Sequence, residues 1–262
     1  LSFGGFSAFP VVFVAWILGK PIVIHEQTAA YGRANKLSSY FADKIALARD
    51  TSVRFYPRAK SQVVGNPILR KIAIIAPKEK IGIPPTIYIT GGSRGSVSIN
   101  SLFENILHKL LTDFYIIHQT GYLDFDKFQN IRSNLAKSES AKYEIYKVID
   151  PAKVDGLFKR ADIIISRAGA NTVSDIIAAK RPALLIPLPM AYKFEQTENA
   201  LFAEKFGIGK IVDQETLTPE RLFTEIRNLR KNWEKIVEAV RNKISPDIYA
   251  SSRLVDIIEG MV

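Results

Sequence analysis

Short β-branched apolar runs alternate with stretches of helical periodicity along most of this chain. Runs near 86–90, 114–118, 144–147, 162–166, 183–187 and 210–212 have the length and composition of buried strands. Between and after them, apolar positions recur at helical spacing near 98–111, 124–135, 153–159, 172–179, 196–205 and 219–241. This strand–helix–strand rhythm predicts a parallel, doubly wound sheet with right-handed crossovers, so residues from about 86 to 240 make one complete Rossmann-like domain. Upstream the pattern is thinner. A helix is expected over 11–18, stopped by Gly19-Lys20-Pro21, then a strand over 22–24, a helix over 32–41, and strands over 44–48 and 62–64. Two or three strands are too few for a second domain of the same kind. Pro77, Pro84 and Pro85 around Lys78-Glu79-Lys80 suit a crossing between domains. The expected division is therefore a partial N-terminal domain over 1–67, a linker over 68–85, a Rossmann-like domain over 86–245, and a C-terminal helix within 246–262.

Two strands of the complete domain run into small-residue turns. Thr86 to Thr90 reaches Gly91-Gly92-Ser93-Arg94-Gly95, and Asp162 to Ser166 reaches Arg167-Ala168-Gly169-Ala170-Asn171-Thr172; a helical pattern follows each. Such a turn presents free backbone N–H groups and the positive end of a helix dipole, which together hold an anion. It also lies at the carboxyl edge of a parallel sheet, where ligands bind. One such turn is a weak signal. Two in one domain, the second followed by Asp175, point to a phosphorylated ligand such as a nucleotide.

Charge and composition narrow the chemistry. The 262 residues carry 36 Lys and Arg against 26 Asp and Glu, a net charge of +10. The basic residues are spread over helices rather than gathered in a block, which fits an anionic membrane surface or a phosphorylated substrate better than nucleic acid. With no cysteine and three scattered histidines, thiolate chemistry is excluded and a histidine metal cluster is disfavoured. The aromatic run over 9–18 is shorter than the roughly 20 residues that span a bilayer. It lacks the flanks of a signal peptide, and its aromatic residues make it either a core helix or a surface that touches lipid, the core helix being the preferred expectation. The basic amphipathic stretch over 220–244 is also expected to turn its apolar face to the core. His118 reads as structural and His108 as a surface helix residue.

At this point a family resemblance emerges. Gly4-Gly5-Phe6, Trp16 to Pro21, His25-Glu26-Gln27-Thr28 with Gly32 and Asn35, and Gly65-Asn66-Pro67 resemble segments of the MurG family. So do Gly91 to Gly95 with Asn100, His118-Gln119-Thr120-Gly121, Arg167 to Ser174, Arg181 to Pro189, Gln196 to Ala200 and Leu217 to Arg221. The segments are individually modest, jointly specific, and follow the family's order over nearly the whole chain. The resemblance implies an α/β protein of GT-B type, with a complete C-terminal Rossmann-like domain and a partial N-terminal one. It implies a UDP-GlcNAc-dependent hexosyltransferase. The family moves N-acetylglucosamine, with inversion, from UDP-GlcNAc to the polyprenyl-linked acceptor lipid I, forming lipid II for peptidoglycan and cell-wall synthesis. The enzyme works as a peripheral protein at the cytoplasmic face of the bacterial plasma membrane, with no cofactor or metal and no nucleic-acid partner.

Carried over by position, the resemblance puts Ser93, Arg94, Ala170, Asn171 and Thr172 near the donor's phosphates and sugar, and Ile149 and Arg167 against uracil. Asp175 would hold the ribose hydroxyls, and Gln196, with Asn199 close by, the GlcNAc; Arg70 is a further candidate donor contact. Phe6, Thr28, Asn35 and Asn100 fall on the acceptor side, and His25 and Glu26 are the candidate catalytic pair. Read as residues alone, Asp175 could be an ordinary first-turn carboxylate, and Arg167 could pair with Asp162 or Asp175.

Departures from the family are concrete. Asp175 stands where Glu is usual, Thr28 where Asn is usual, Ala8-Phe9 where Ser-Gly is usual, and Leu69 where an Arg commonly follows Asn-Pro-aliphatic. The family's G-x-G-G-H-x-x-P turn is not in these residues, so the chain is expected to be N-terminally incomplete relative to the family. Two alternatives stay open: a donor-binding subunit of a split GT-B enzyme that is inactive alone, or another UDP-sugar-dependent GT-B enzyme.

Overall fold

Alternation of side chains along buried strands sets the architecture. The computed structural model describes residues 1–92, 94–189 and 194–261. Its first sheet is parallel and three-stranded, in the order β1 (Val23–Glu26), β2 (Lys44–Leu47), β3 (Ser61–Val63). Helices α1 (Ala8–Ile17), α2 (Arg33–Ser38) and α3 (Arg70–Ala73) accompany it. The second sheet holds β4 (Thr86–Thr90), β5 (Tyr115–Gln119), β6 (Tyr143–Tyr146), β7 (Ile163–Ser166), β8 (Ala183–Leu185) and β9 (Gly209–Ile211). Its spatial order is β6-β5-β4-β7-β8-β9, every pair parallel.

That order reverses direction between β4 and β7, so a crevice opens above the carboxyl ends of these two strands. Helices α4 (Val97–Glu104), α5 (Leu107–Asp113), α6 (Phe125–Asn134), α7 (Lys137–Ser140), α8 (Val154–Arg160), α9 (Ala170–Ala179), α10 (Glu195–Phe206), α11 (Pro219–Lys231), α12 (Trp233–Val240) and α13 (Ala250–Glu259) complete the chain. Ile87, Ile89, Ile163 and Ile165 face a core made with Phe103, Leu110, Leu222 and Trp233. Tyr88, Ile117, Ile164 and Leu185 face a second one made with Val173, Ile176, Ala200 and Ala203. Each strand feeds both cores, as a sheet covered on two sides requires.

Two long helical patterns are broken. The pattern over 98–111 forms α4 and α5, and that over 219–241 forms α11 and α12. Both breaks fall at asparagine: Asn105 Nδ2 donates to Ser101 O and Asn232 Nδ2 to Asn228 O, each at 2.8 Å. A side chain that donates to a helix's own carbonyls competes with the backbone ladder. The basic stretch over 220–244 does bury its apolar side, with Leu222, Ile226, Leu229, Trp233, Val237 and Val240 all in the core.

Helix α1 differs from the core helix expected. Only Val12 is buried there, while Val11, Val14, Trp16 and Ile17 are exposed. Phe9, Phe13, Trp16 and Phe41 instead form an aromatic cluster on the molecule's outside, with ring centroids 5.2–6.2 Å apart. Among the described residues no helix is long and apolar enough to cross a membrane. At the other end of the chain, Leu254 of α13 packs with Val23, Ala46 and Val64 of the first sheet.

Candidate functional site

The crevice between β4 and β7 is built by the two small-residue turns. Thr90 and Ser166 are register partners at the strand ends, so both chains leave the sheet side by side. After β4 the backbone folds so tightly that a Cβ on Gly91 would lie 2.3 Å from Ser96 N and 2.4 Å from Gly95 C. Only glycine fits there. Gln119, on the neighbouring strand, props the turn: its Oε1 accepts from Tyr88 OH and Thr90 Oγ1, each at 3.0 Å, and its Nε2 donates to Gly92 O at 3.2 Å. The second turn ends at Gly169, the N-cap of α9, with extended backbone. Two helix N-termini, those of α4 and α9, thus close on one crevice.

Arg167 lies between them. Its guanidinium is buried and donates to Ile186 O, Pro187 O, Ser96 Oγ and Ser98 Oγ at 2.6–3.3 Å. These acceptors are all neutral, which corrects the reading that Arg167 pairs with Asp162 or Asp175. Asp162 is bound instead to Lys78 Nζ at 2.6 Å and to Thr86 N at 2.7 Å. Burial lowers the Arg167 pKa, yet the group stays cationic at neutral pH. A buried cation with only neutral partners beside two helix N-termini makes this end of the crevice electropositive.

Alongside the crevice is a cavity of about 160 Å³, lined by Tyr88, Thr90, Gly92, Gln119, Ile149, Pro151, Val154, Phe158, Thr172 and Asp175. It brings Ile149, Thr172 and Asp175 together, with aromatic and aliphatic side chains and a carboxylate in one lining. Asp175 is pushed up to about 7, first by burial and then by the negative charge of Asp247. Tyr88 is pushed up to about 12, chiefly by burial. Arg167 is not among the residues that line this cavity.

The remaining sequence candidates are scattered. Ser93 lies outside the described residues. Arg94 is exposed on the first turn, Ala170 is the first residue of α9, and Arg70 is exposed at the start of α3. Asn171 Oδ1 accepts from Asn66 Nδ2 at 3.0 Å. Gln196 Oε1 accepts from Leu188 N at 3.0 Å. Asn199 bridges the two halves, accepting from Ala29 N at 2.9 Å and donating to Ala168 O at 3.1 Å.

His25 and Glu26 differ from the cleft-facing catalytic pair expected. His25 is fully buried, donates through Nε2 to Gly65 O at 2.9 Å, and is held neutral by burial. The Glu26 carboxylate is also buried and accepts from Thr28 N, Thr28 Oγ1, Gly32 N, Asn35 Nδ2 and Tyr56 OH at 2.7–3.2 Å. A carboxylate saturated by five donors anchors a loop; it has no free lone pair aimed at a substrate. Thr28 and Asn35 are drawn into that anchor, whereas Phe6 is 99% exposed.

Asn100, expected on the acceptor side, is buried. It sits in α4 and donates to Thr120 O at 2.8 Å and Asp124 Oδ2 at 2.7 Å, with Oδ1 accepting from His118 Nε2 at 2.9 Å. His118, lowered to about 3 by burial, takes a hydrogen bond from Tyr143 OH on its other nitrogen, a structural bridge. Among the described residues no group of His, Asp and Glu could hold a metal ion. Arg49 and Asp247 were not singled out from sequence, and Asn66 and Ser174 entered only within the family-like segments Gly65-Asn66-Pro67 and Arg167 to Ser174. No local pattern marks their pairing, because their partners are 105–198 positions away.

Two Rossmann-like halves with nucleotide-type turns on the second define a GT-B class of protein. Residues 86–259 match the glycosyltransferase family 28 C-terminal domain and residues 1–47 the glycosyltransferase family 28 N-terminal domain, so the chain belongs to glycosyltransferase family 28. It is 33% identical to the UDP-N-acetylglucosamine–N-acetylmuramyl-(pentapeptide) pyrophosphoryl-undecaprenol N-acetylglucosamine transferase of Acetivibrio thermocellus, over 99% of this chain and 72% of that protein. Identity to the protein of the same name from Acinetobacter baylyi is 34%, again over 99% of this chain and 72% of the relative. Among solved structures, Acinetobacter baumannii MurG superposes with a TM-score of 0.73 at 30% identity, covering 99% of this chain and 74% of that one. A putative UDP-N-acetylglucosamine 2-epimerase from Listeria monocytogenes superposes with a TM-score of 0.75 at 12% identity, covering 100% of this chain and 73% of that one, a likeness of fold alone.

Proposed function

We propose that this protein transfers N-acetylglucosamine from UDP-GlcNAc to a polyprenyl-diphosphate-linked muramoyl acceptor, as the names of its relatives describe for them. The observation that carries the reading on this chain's own atoms is the cavity that joins Ile149, Thr172 and Asp175 beside the two helix N-termini. Uracil fits the apolar wall at Ile149. The ribose hydroxyls donate to Asp175. The diphosphate lies toward the N-termini of α4 and α9, where Ala170, Asn171, Thr172 and the turn containing Arg94 offer N–H groups, and where Arg167 adds positive charge. Gln196, its carbonyl oxygen already held by Leu188 N, donates from its NH2 to a GlcNAc hydroxyl.

In the transfer, the acceptor hydroxyl oxygen forms its bond to the sugar's C1 on the face opposite the diphosphate. The C1–O bond to phosphate breaks, UDP leaves with the bonding pair, and the hydroxyl proton passes to a base. Charge grows on the leaving diphosphate, and the preorganised helix ends and Arg167 stabilise it without reorganising. Glu26 serves the acceptor side indirectly, by fixing the loop over 26–35 that carries Thr28 and Asn35. The exposed aromatic face of α1, with Phe6 beside it, is the surface we assign to an anionic membrane.

Titration calorimetry with UDP-GlcNAc, UDP and GDP tests the donor reading. Binding of both uridine nucleotides and not GDP is expected, with Gln196→Ala weakening UDP-GlcNAc more than UDP. A folded protein that binds none of the three, or binds GDP equally, would sink it.

A further inference from the structure

A set of buried polar groups joins the two halves and touches the donor helix without lining the cavity. Arg49, two residues past β2, donates through Nη1 to Asp247 Oδ1 at 2.6 Å and through Nη2 to Asp247 Oδ2 at 2.9 Å. The same Nη2 donates to Ser174 Oγ at 2.8 Å. Asn66 donates from its backbone N to Asp247 Oδ1 at 2.7 Å, and from Nδ2 to Asn171 Oδ1 and Ser174 Oγ, each at 3.0 Å. Each of Arg49, Asn66, Ser174 and Asp247 is no more than 3% exposed. Backbone contact tightens the same junction: Gly65 has φ +96°, and a Cβ there would lie 2.7 Å from Pro246 O.

The bonds end at informative places. Asn171 and Ser174 lie on the first two turns of α9, and each is followed directly by a residue that lines the cavity, Thr172 and Asp175. A buried ion pair of this kind adds little net stability over well-packed apolar side chains of the same volume. What it does supply is direction, because bidentate guanidinium–carboxylate geometry admits one orientation. The contacts reach α9 from the first half of the chain, through Arg49 and Asn66, and Asp247 of the C-terminal segment holds both of those residues in place, so the helix is held from outside its own domain.

We propose that Asn66, Ser174, Arg49 and Asp247 are positioning residues for donor binding: they clamp the first two turns of α9 against the N-terminal half, so that half sets nucleotide affinity without touching the nucleotide. The proposal rests on the donor reading of α9 given above. It assigns to the junction a function in the reaction and not only in folding. Loosening the clamp lets the helix N-terminus tilt away from the diphosphate, and UDP affinity falls while the folded state persists.

Two substitutions loosen it without stranding a charge. Asn66→Ala removes the donors to Asn171 and Ser174, and Ser174→Ala leaves Arg49 with both Asp247 oxygens and Asn66 with Asn171. Calorimetric titration with UDP, well below the melting temperature, is run on the wild type, both variants, Asn171→Ala and the Asn66→Ala/Asn171→Ala pair, with thermal melts alongside. Asn66→Ala is expected to raise the UDP Kd about fivefold or more. The pair should lose less than the sum of its singles, because both cut one link. If Ser174→Ala and any folded Asn66→Ala bind UDP as the wild type does, with only the melting temperature lowered, the junction is structural and the proposal is overturned. Asp175→Ala separates the two readings. Should it leave UDP binding unchanged, the donor assignment itself fails, whatever the clamp variants do.

Discussion

Asp175 meets two opposed demands. Burial and the nearby Asp247 favour its protonated form, while ribose hydroxyls bind best to a carboxylate. The group is protonated in both folded and unfolded chains below its ordinary value of 3.8, and between there and about 7 only the unfolded chain releases the proton. Its contribution to stability is therefore present at low pH and lost as pH rises through about 7, a loss on the order of a few kcal/mol. Asp175→Asn should raise the melting temperature at pH well above 7 and leave it unchanged below 3.8. Uridine, which has no phosphate to titrate, should bind the wild type more tightly as pH rises through about 7, and bind Asp175→Asn weakly at every pH. A flat wild-type profile would remove the ribose assignment. Arg167 was legible as a cation at the site but its partners were not, since carbonyls of residues 186 and 187 and the hydroxyls of Ser96 and Ser98 meet it only through the fold.

The elements at the crevice depend on a backbone that leaves no room for a side chain. Gly91→Ala would drive a Cβ into Ser96 N and Gly95 C, which are backbone atoms and yield only if the turn opens. We expect a stability loss of about 1–3 kcal/mol, read from urea melts. A larger proportional loss of UDP affinity should accompany it, read by calorimetry. Affinity unchanged would detach the first turn from the diphosphate. Elements were otherwise well marked in the sequence, because a strand buried on both faces must be apolar at every position, as the isoleucines of β7 are. The two helices broken at Asn105 and Asn232 were not, because apolar periodicity continues across each break while an asparagine side chain adds a second donor to a helix carbonyl.

In the molecule as a whole, stability and function meet at the junction of the halves. Arg49→Met leaves Asp247 buried without its cation, and should cost about 3–5 kcal/mol in urea melts. Adding Asp247→Leu should recover much of that, since the stranded charge is then gone. Failure to recover would mean that the junction is held by packing rather than by the pair. At the outer surface, vesicles containing anionic lipid should retain the protein at low salt and release it as salt is raised, since screening weakens the attraction of a +10 chain. Phe6→Ser and Trp16→Ser should each weaken retention at low salt. Retention that ignores both would place the membrane contact elsewhere.

The strand–helix alternation and the two small-residue turns were written locally, in neighbours along the chain, and they were enough for the sheet class and the place of the crevice, while the short segments that resemble the family were enough for the family. Position in space was not. His25 and Glu26 look like an acid–base pair in the sequence, yet folding buries both, ties His25 Nε2 to Gly65 O, and surrounds the Glu26 carboxylate with donors from Gly32, Asn35 and Tyr56. Asn100 and His118 close on each other in the same way. Arg49 and Asp247, unmarked by any motif, meet across 198 positions at the junction of the halves, where Arg49 also reaches Ser174 of α9. The physical reason is common to all three. Periodicity records which side of an element is buried, whereas which polar groups satisfy one another depends on contacts between distant segments that exist only once the chain has folded.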